Sequence, residues 1–219
     1  MKANPYANRD PRLGMTIVYN DMVWPAKAKV EIWEGGENGL PLNNATTTGY
    51  YLRKYVNKDI SFVSGSTSTK KHHNWILFRY AEVLLNYAEA MTNAFGPDYT
   101  DAQFPISARE AVNQVRKRSD VNMPELPAGM SKADFLERLK NERRVELAFE
   151  GHRFWDVRRW KDLNQTANIY GVKVKKTDSG FSYDKFLYET RTITDNLYFY
   201  PISNTEKYKN PSLGQNPGW

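Results

Sequence analysis

The chain has 219 residues, 31 Lys and Arg against 25 Asp and Glu, and a net charge of +6. That length supports one large domain or two small ones, and the absence of cysteine removes disulfides, thiol catalysis and thiolate metal sites together. No segment approaches the roughly 20 apolar residues of a membrane span, and the basic residues are interleaved with acids, which argues against a nucleic-acid surface despite a pI near 9.3.

Aromatic residues are abundant, with 14 Tyr, 10 Phe and 6 Trp, whereas the mean hydropathy of -0.71 is polar. Large rings can build a core from few positions and also offer flat faces for stacking. The N-terminus lacks a charged region followed by an apolar one, and Met1 leading directly into polar sequence reads as a truncation.

Residues 1–70 read as loops and short extended pieces. Pro5, Pro11, Pro25, Pro41 and Gly35-Gly36 interrupt every run before a long helix can form. Strand candidates are Met15 to Tyr19, Val30 to Trp33 and Tyr50 to Val56, rich in β-branched and aromatic residues. Ser64 to Lys71 is low-complexity and polar, the composition of a mobile surface loop.

Residues 71–162 read as helical. Leu77, Ala81, Leu84, Ala88 and Met91 share one helix face, and Arg79, Glu82, Asn86, Glu89 and Asn93 another, read as facing solvent. The spacing predicts a first helix over 75–95, stopped by Gly96-Pro97. Ser107-Ala108-Arg109-Glu110 fits a capping box and opens a second helix over 107–119. Small residues on both helices predict an antiparallel, tetratricopeptide-like pair. One pair is fewer than a solenoid needs. Ser131 caps a long third helix that runs to Gly151, with further turns to about Trp160. Residues 163–219 read as irregular, with one strand at Asn196 to Tyr200 and a turn-rich tail.

The densest charged group is Glu142, Arg143, Glu146, Glu150, Arg153 and Asp156, together with Arg144, Arg158 and Arg159. Opposite charges recur three and four residues apart, the spacing of an ion-pair ladder on a helix. Catalytic carboxylates need surroundings that split their pKa values, whereas nearby arginines keep carboxylates ionised. The cluster therefore reads as structural. His72, His73 and His152 have no metal-ligand spacing, and no nucleophile elbow, phosphate loop or dinucleotide fingerprint occurs. No catalytic residue, metal or cofactor is expected.

Trp155, Trp160, Phe149 and Phe154 lie on helical sequence and read as core, and Trp75 as packing at a helix base. Trp24 and Trp33 lie in loop-rich sequence beside Tyr19, Asn20, Asp21 and Asn38. Sugars present apolar C–H faces rimmed by hydroxyls, which exposed rings beside amides and carboxylates recognise. These six residues are the candidate glycan site, although either indole could instead anchor a loop.

Five segments resemble the SusD/RagB family. Trp75-Ile76-Leu77-Phe78-Arg79-Tyr80-Ala81-Glu82-Val83-Leu84-Leu85-Asn86-Tyr87-Ala88-Glu89-Ala90 is similar to one signature helix. Glu142 to Trp160 resembles the second long signature, and Tyr200-Pro201-Ile202 with Asn210 to Trp219 the C-terminal one. Asp10-Pro11-Arg12-Leu13 and Gly49 to Tyr55 fit the middle region. Ser203 stands where a second proline is frequent, and Trp219 where a terminal tyrosine is usual.

The resemblance implies the C-terminal part of a SusD-like fold, mainly α with long loops and a few short strands. It also implies a surface-exposed outer-membrane lipoprotein that binds an oligosaccharide, glycopeptide or peptide and passes it to a TonB-dependent SusC-like transporter. The N-terminal helical half and the lipid anchor are expected outside this chain. Arg79, Glu82, Glu89, Glu142, Arg143, Glu146, Arg153 and Asp156 carry over as fold-making residues, and no ligand residue carries over. A protein-interaction scaffold is the competing reading.

Overall fold

A computed structural model describes residues 4–24, 28–57 and 71–219. Six helices and two antiparallel strand pairs occur among these residues: α1 (Arg12–Thr16), β1 (Ile17–Val18), β2 (Tyr51–Leu52), α2 (Tyr80–Ala94), α3 (Ala108–Arg116), α4 (Lys132–Glu146), α5 (His152–Arg159), β3 (Asn168–Thr177), β4 (Gly180–Thr190) and α6 (Asn204–Lys209). The fold is mostly helical, as the sequence implies, and no described helix is long and apolar enough to cross a membrane.

The helical core forms where α2, α3 and α4 meet. Leu84, Leu85, Ala88 and Met91 of α2 pack with Ala108, Ala111, Val112 and Val115 of α3, and Phe135 and Leu139 of α4 close the third side. Alanines on both facing stripes bring the helices close. At the start of α3, the Ser107 hydroxyl accepts from the Glu110 N–H (3.1 Å) and the Glu110 carboxylate from the Ser107 N–H (2.9 Å). Ser131 caps α4 in the same manner, accepting from the Asp134 N–H at 3.1 Å.

Three helix boundaries differ from the sequence reading. The first helix starts at Tyr80, and residues 71–79 are extended. Trp75-Ile76-Leu77-Phe78 is a run of bulky side chains with modest helix propensity, and Arg79 holds extended backbone (φ -149°, ψ 156°) at the N-cap. The second helix ends at Arg116, three residues short of its expected end. The third ends at Glu146, where Arg79 Nη2 donates to the Glu146 carbonyl (2.6 Å) and Lys54 Nζ to the Ala148 carbonyl (2.9 Å). Cations thus satisfy the carbonyls that an ending helix exposes. The chain re-enters helix at α5 through Gly151, whose φ of 85° favours glycine.

Residues 168–190 are a correction. Sequence read as irregular there forms a hairpin, paired from Asn168↔Thr190 to Thr177↔Gly180 with one irregularity at Ile169/Tyr170. Asp178 and Ser179 supply the two-residue turn. The other edge of β3 takes up the N-terminal region: the Val172 N–H donates to the Thr48 carbonyl and the Glu34 N–H to the Val174 carbonyl, both at 2.9 Å. Gly171 permits this approach, because a Cβ there would lie 2.7 Å from the Phe186 ring and 2.9 Å from the Thr48 carbonyl oxygen.

Elsewhere Met15 and Thr16 join α1, and residues 30–33 form no named strand. Asn196 to Tyr200 begins as a 3-10 turn (Asp195–Tyr198) instead of a strand. Its carbonyls serve the chain end: Trp219 Nε1 donates to the Asn196 and Phe199 oxygens at 3.0 and 3.1 Å. The polar run 64–71, apart from Lys71, lies outside the described residues.

Candidate ligand site

A second, smaller core sets the frame of the N-terminal region. Val18 of β1, Val30 and Ile32 are buried together, with Met22, Trp24 and Tyr51 packed against them. Asn20 pins this unit: its buried side-chain Oδ1 accepts from the N–H groups of Ile32 (3.0 Å) and Trp33 (3.2 Å). Asn20 is consequently a framework residue and has no surface to offer a ligand.

The six candidate residues do not converge. Tyr19 stacks on Tyr6 at 4.2 Å, within a cluster that Tyr50 and Tyr183 complete around Tyr6. Asp21 pairs with Lys29 at 2.8 Å. Trp33 is half-buried, with Lys176 4.8 Å from its ring centre and the Gly35-Gly36 backbone beside it. Only Trp24 and Asn38 line the same groove.

That groove encloses about 440 Å³ beside β1 and β2, and Lys29, Glu37 and Tyr51 line it as well. Trp24 is half-buried, with the Arg53 guanidinium 5.8 Å from its ring centre. Asn38 Oδ1 accepts from the Glu31 N–H (3.1 Å), and the Asn38 carbonyl accepts from the Tyr51 hydroxyl (2.7 Å). The Asn38 carboxamide N–H groups have no partner among the described residues, and Glu37 is exposed. The groove is therefore lined by an indole, a carboxamide, a carboxylate and an ammonium. Tyr51 and Lys29 escaped the sequence reading, because only the β1–β2 pairing (Val18↔Tyr51) carries Tyr51 to this side.

The charged cluster is a buried network with partners from far along the chain. Arg12 Nη1 donates to Glu142 Oε1 (2.6 Å) and Glu146 Oε2 (2.9 Å), while Arg116 reaches Glu142 Oε2 at 2.6 Å. Arg79 and Arg118 each donate to Glu146 Oε1 at 2.6 Å. Glu150 accepts from Arg79 (2.6 Å) and Lys54 (2.5 Å). Burial alone would raise the Glu146 carboxyl, but hydrogen bonds from Arg118, Arg79 and Arg12 overcome it and hold it at about 2. Burial would likewise lower Arg12, yet Asp10, Glu142 and Glu146 raise it.

Arg143 pairs with Asp156 (3.1 Å) and donates to Asn86 Oδ1 (2.6 Å). Glu89 accepts from Arg159 Nη2 and Trp160 Nε1, both at 2.7 Å. Glu82 lies 3.6 Å from His152 Nε2. The polar face of α2, read as solvated, thus meets α4 and α5. Arg153 has no carboxylate partner in this network, and its Nη2 donates to Gln165 Oε1 at 3.1 Å.

Several aromatics also lie elsewhere than expected. Trp155 is 58% exposed, and Phe149 and Phe154 are exposed too. Trp75 is exposed and stacks on Tyr55, with centroids 5.9 Å apart. The residues buried in their stead are Phe135 and the smaller aliphatic ones of α2 to α4.

Comparison with known proteins gives one consistent answer. The SusD family profile matches residues 2–219. SusD-like protein P38 of Formosa agariphila is 41% identical over 104 residues, 45% of this chain and 18% of that protein. SusD-like protein P2 of the same organism is 27% identical over 166 residues, 72% of this chain and 28% of that protein. A SusD-like protein crystal structure from Bacteroides fragilis superposes with a TM-score of 0.78 at 29% identity, covering 98% of this chain and 40% of that one. The chain thus spans less than a third of the length of these two curated relatives.

Proposed function

The chain belongs to the SusD family, and from that premise we propose that it binds a glycan or glycopeptide nutrient at the outer-membrane surface without altering it. In this reading the ligand passes to a TonB-dependent SusC-like transporter. The observation that carries the proposal is the groove beside β1 and β2, where the Trp24 indole faces the same space as Asn38, Glu37 and Lys29. A sugar ring stacks its C–H face on the indole, and the unpaired Asn38 amide and the Glu37 carboxylate take its hydroxyls. Each polar contact first displaces water, so one ring with two or three hydrogen bonds gives modest affinity. Modest affinity suits capture followed by release to a second protein.

Binding without chemistry is supported by the charged cluster. Glu142, Glu146, Glu150 and Asp156 are each paired with arginine or lysine, an arrangement that ties elements of the fold together. Calorimetric titration of the chain with a panel of neutral oligosaccharides tests the proposal. Saturable heat that Trp24→Ala removes is expected, and a panel that gives none would overturn it.

A second reading has its own observation. Trp75, Leu77, Phe78 and Tyr80 are all exposed at the entry to α2, Leu77 being 84% exposed. Contiguous exposed apolar surface marks a protein contact, which favours an interaction scaffold that holds other protein at this face. Cross-linking from position 77 distinguishes the readings, because a glycan site at Trp24 is unaffected by it.

A further inference from the structure

Two arginines of α5 stand outside the ion-pair network. Arg153 is half-buried, and beyond its hydrogen bond to Gln165 no carboxylate among the described residues lies within ion-pair distance. Arg158 donates Nη1 to the Phe154 carbonyl (2.8 Å), and its guanidinium carbon lies 3.5 Å from the centre of the Phe154 ring. Its Nε is buried without a partner among the described residues. Burial lowers the pKa of Arg153 and Arg144 lowers it further, with Asp156 and Asp162 opposing only in part.

Both side chains line a cavity of about 340 Å³, together with Arg191 and the threonines 166 and 192. Arg191 is paired with Glu189 at 2.8 Å, and among the described residues no acidic side chain lines the cavity. A guanidinium withdrawn from water without a counter-ion is unfavourable. Here two of them border one space, which is the electrostatic form of an anion site.

Arg158 is also a wall of a second concavity, of about 990 Å³, which Trp155, Tyr200 and Lys161 line. Trp155 is 58% and Tyr200 56% exposed, with centroids 5.9 Å apart and planes inclined by 47°. Among the described residues Lys161 has no carboxylate partner, and Asp195 is the one acidic side chain in the lining. An open aromatic shelf therefore adjoins an unneutralised cationic cavity across a single shared arginine.

We propose that this face of α5 is a subsite for an acidic saccharide, with its sugar ring on Trp155 and Tyr200 and its anionic group held by Arg158 and Arg153. The shared chemistry is a sugar carrying a carboxylate or a sulfate ester. The subsite takes its ligand class from the glycan-binding reading above, but it shares no residue with the Trp24 groove. Arginine recognises both anions through paired N–H donors, and the rings supply the orientation that a bare anion would lack.

The test is calorimetric titration of the chain with four probes: an oligogalacturonate, a sulfated galactan oligosaccharide, a neutral cello-oligosaccharide and inorganic sulfate. One of the acidic saccharides is expected to bind at least tenfold more tightly than both the neutral saccharide and sulfate, and which one does so identifies the anionic group. Trp155→Ala and Arg158→Gln should each weaken it about tenfold or more, while Tyr208→Ala, at an exposed ring that lines neither cavity, leaves it unchanged. Lys161→Met, on the exposed side, gives a smaller loss and guards against a variant that fails to fold. Sulfate binding as tightly as the saccharide means an adventitious ion only, and it overturns the proposal, as does acidic binding indifferent to Trp155→Ala. Neutral binding that depends on Trp24, without any acidic binding, overturns this subsite alone. Absence of binding by every saccharide overturns both readings.

Discussion

Arg12 and Glu142 lie 130 positions apart in the chain, yet their side chains meet at 2.6 Å with both almost fully buried. The contact joins α1 to the penultimate turn of α4, and Arg12 extends it to Glu146 one turn further along. Replacing Arg12 leaves two buried carboxylates short of a donor, the situation in which breaking a buried pair is most damaging. Arg12→Ala is expected to lower stability by about 3 kcal/mol or more. Urea denaturation reads it as a shift in midpoint at constant slope. A loss below about 1 kcal/mol would show that water reaches Glu142 and Glu146 once Arg12 is gone.

The same cluster sets an acid limit. The Glu146 carboxyl is held at about 2 against an ordinary 4.5, so its contribution is complete above pH 4.5 and is lost as pH falls through about 2. A shift of this size corresponds to about 3 kcal/mol. Glu150 and Asp10 are lowered as well, opposing burial through Arg79 and Lys54 in one case and Arg12 in the other. Denaturation midpoints should therefore fall steeply below pH 4.5. Glu146→Gln should be less stable at neutral pH but lose less stability over that interval, and an unchanged slope would place the acid sensitivity elsewhere.

What was legible in the sequence follows from how local each signal is. The capping box at Ser107 and the apolar stripe from Leu84 to Met91 are spelled within a few residues, and the structure shows both. The ion pairs of Glu142 and Glu146 were visible only as charges, because Arg12, Arg116 and Arg118 arrive from other elements. The hairpin was missed because many of its outward positions carry aromatic and basic side chains, which blurs the two-residue alternation. Val174 is its deeply buried aliphatic position. For the candidate site, composition pointed to the loop region that holds the groove but could not tell Asn20, which faces inward, from Asn38, which lines the groove.

The attachment of the N-terminal loops to β3 rests on Gly171. A side chain there meets the Phe186 ring at 2.7 Å and the Thr48 carbonyl oxygen at 2.9 Å, and the latter is backbone that cannot rotate away. Gly171→Val is expected to detach the segment around Thr48 while β3 and β4 stay paired. Hydrogen exchange is the direct measurement: the Val172 amide, which donates to Thr48, should lose protection while amides inside the hairpin keep theirs. Equal loss across both strands would mean that the hairpin depends on the loops for its own stability.

The packing of α2 against α3 through small residues is tested at Ala88. Its side chain is fully buried against α3, where Ala108 and Ala111 are fully buried as well. These small residues set the spacing between α2 and α3, and α4 closes the remaining side with Phe135 and Leu139. An indole has no void to enter, so Ala88→Trp forces the helices apart and strips contact from Leu85, Val112 and Leu139 together. Overpacking a tight core costs about 1–3 kcal/mol for a few added methylenes, and an indole adds more than that. The variant is expected to be insoluble, or to melt far below the parent by circular dichroism. Ala88→Ser, nearly equal in volume, should stay folded and separates crowding from a general sensitivity of this position. A soluble Ala88→Trp chain with the parent's melting temperature would mean that α2 and α3 can part without loss, and that the core is held elsewhere.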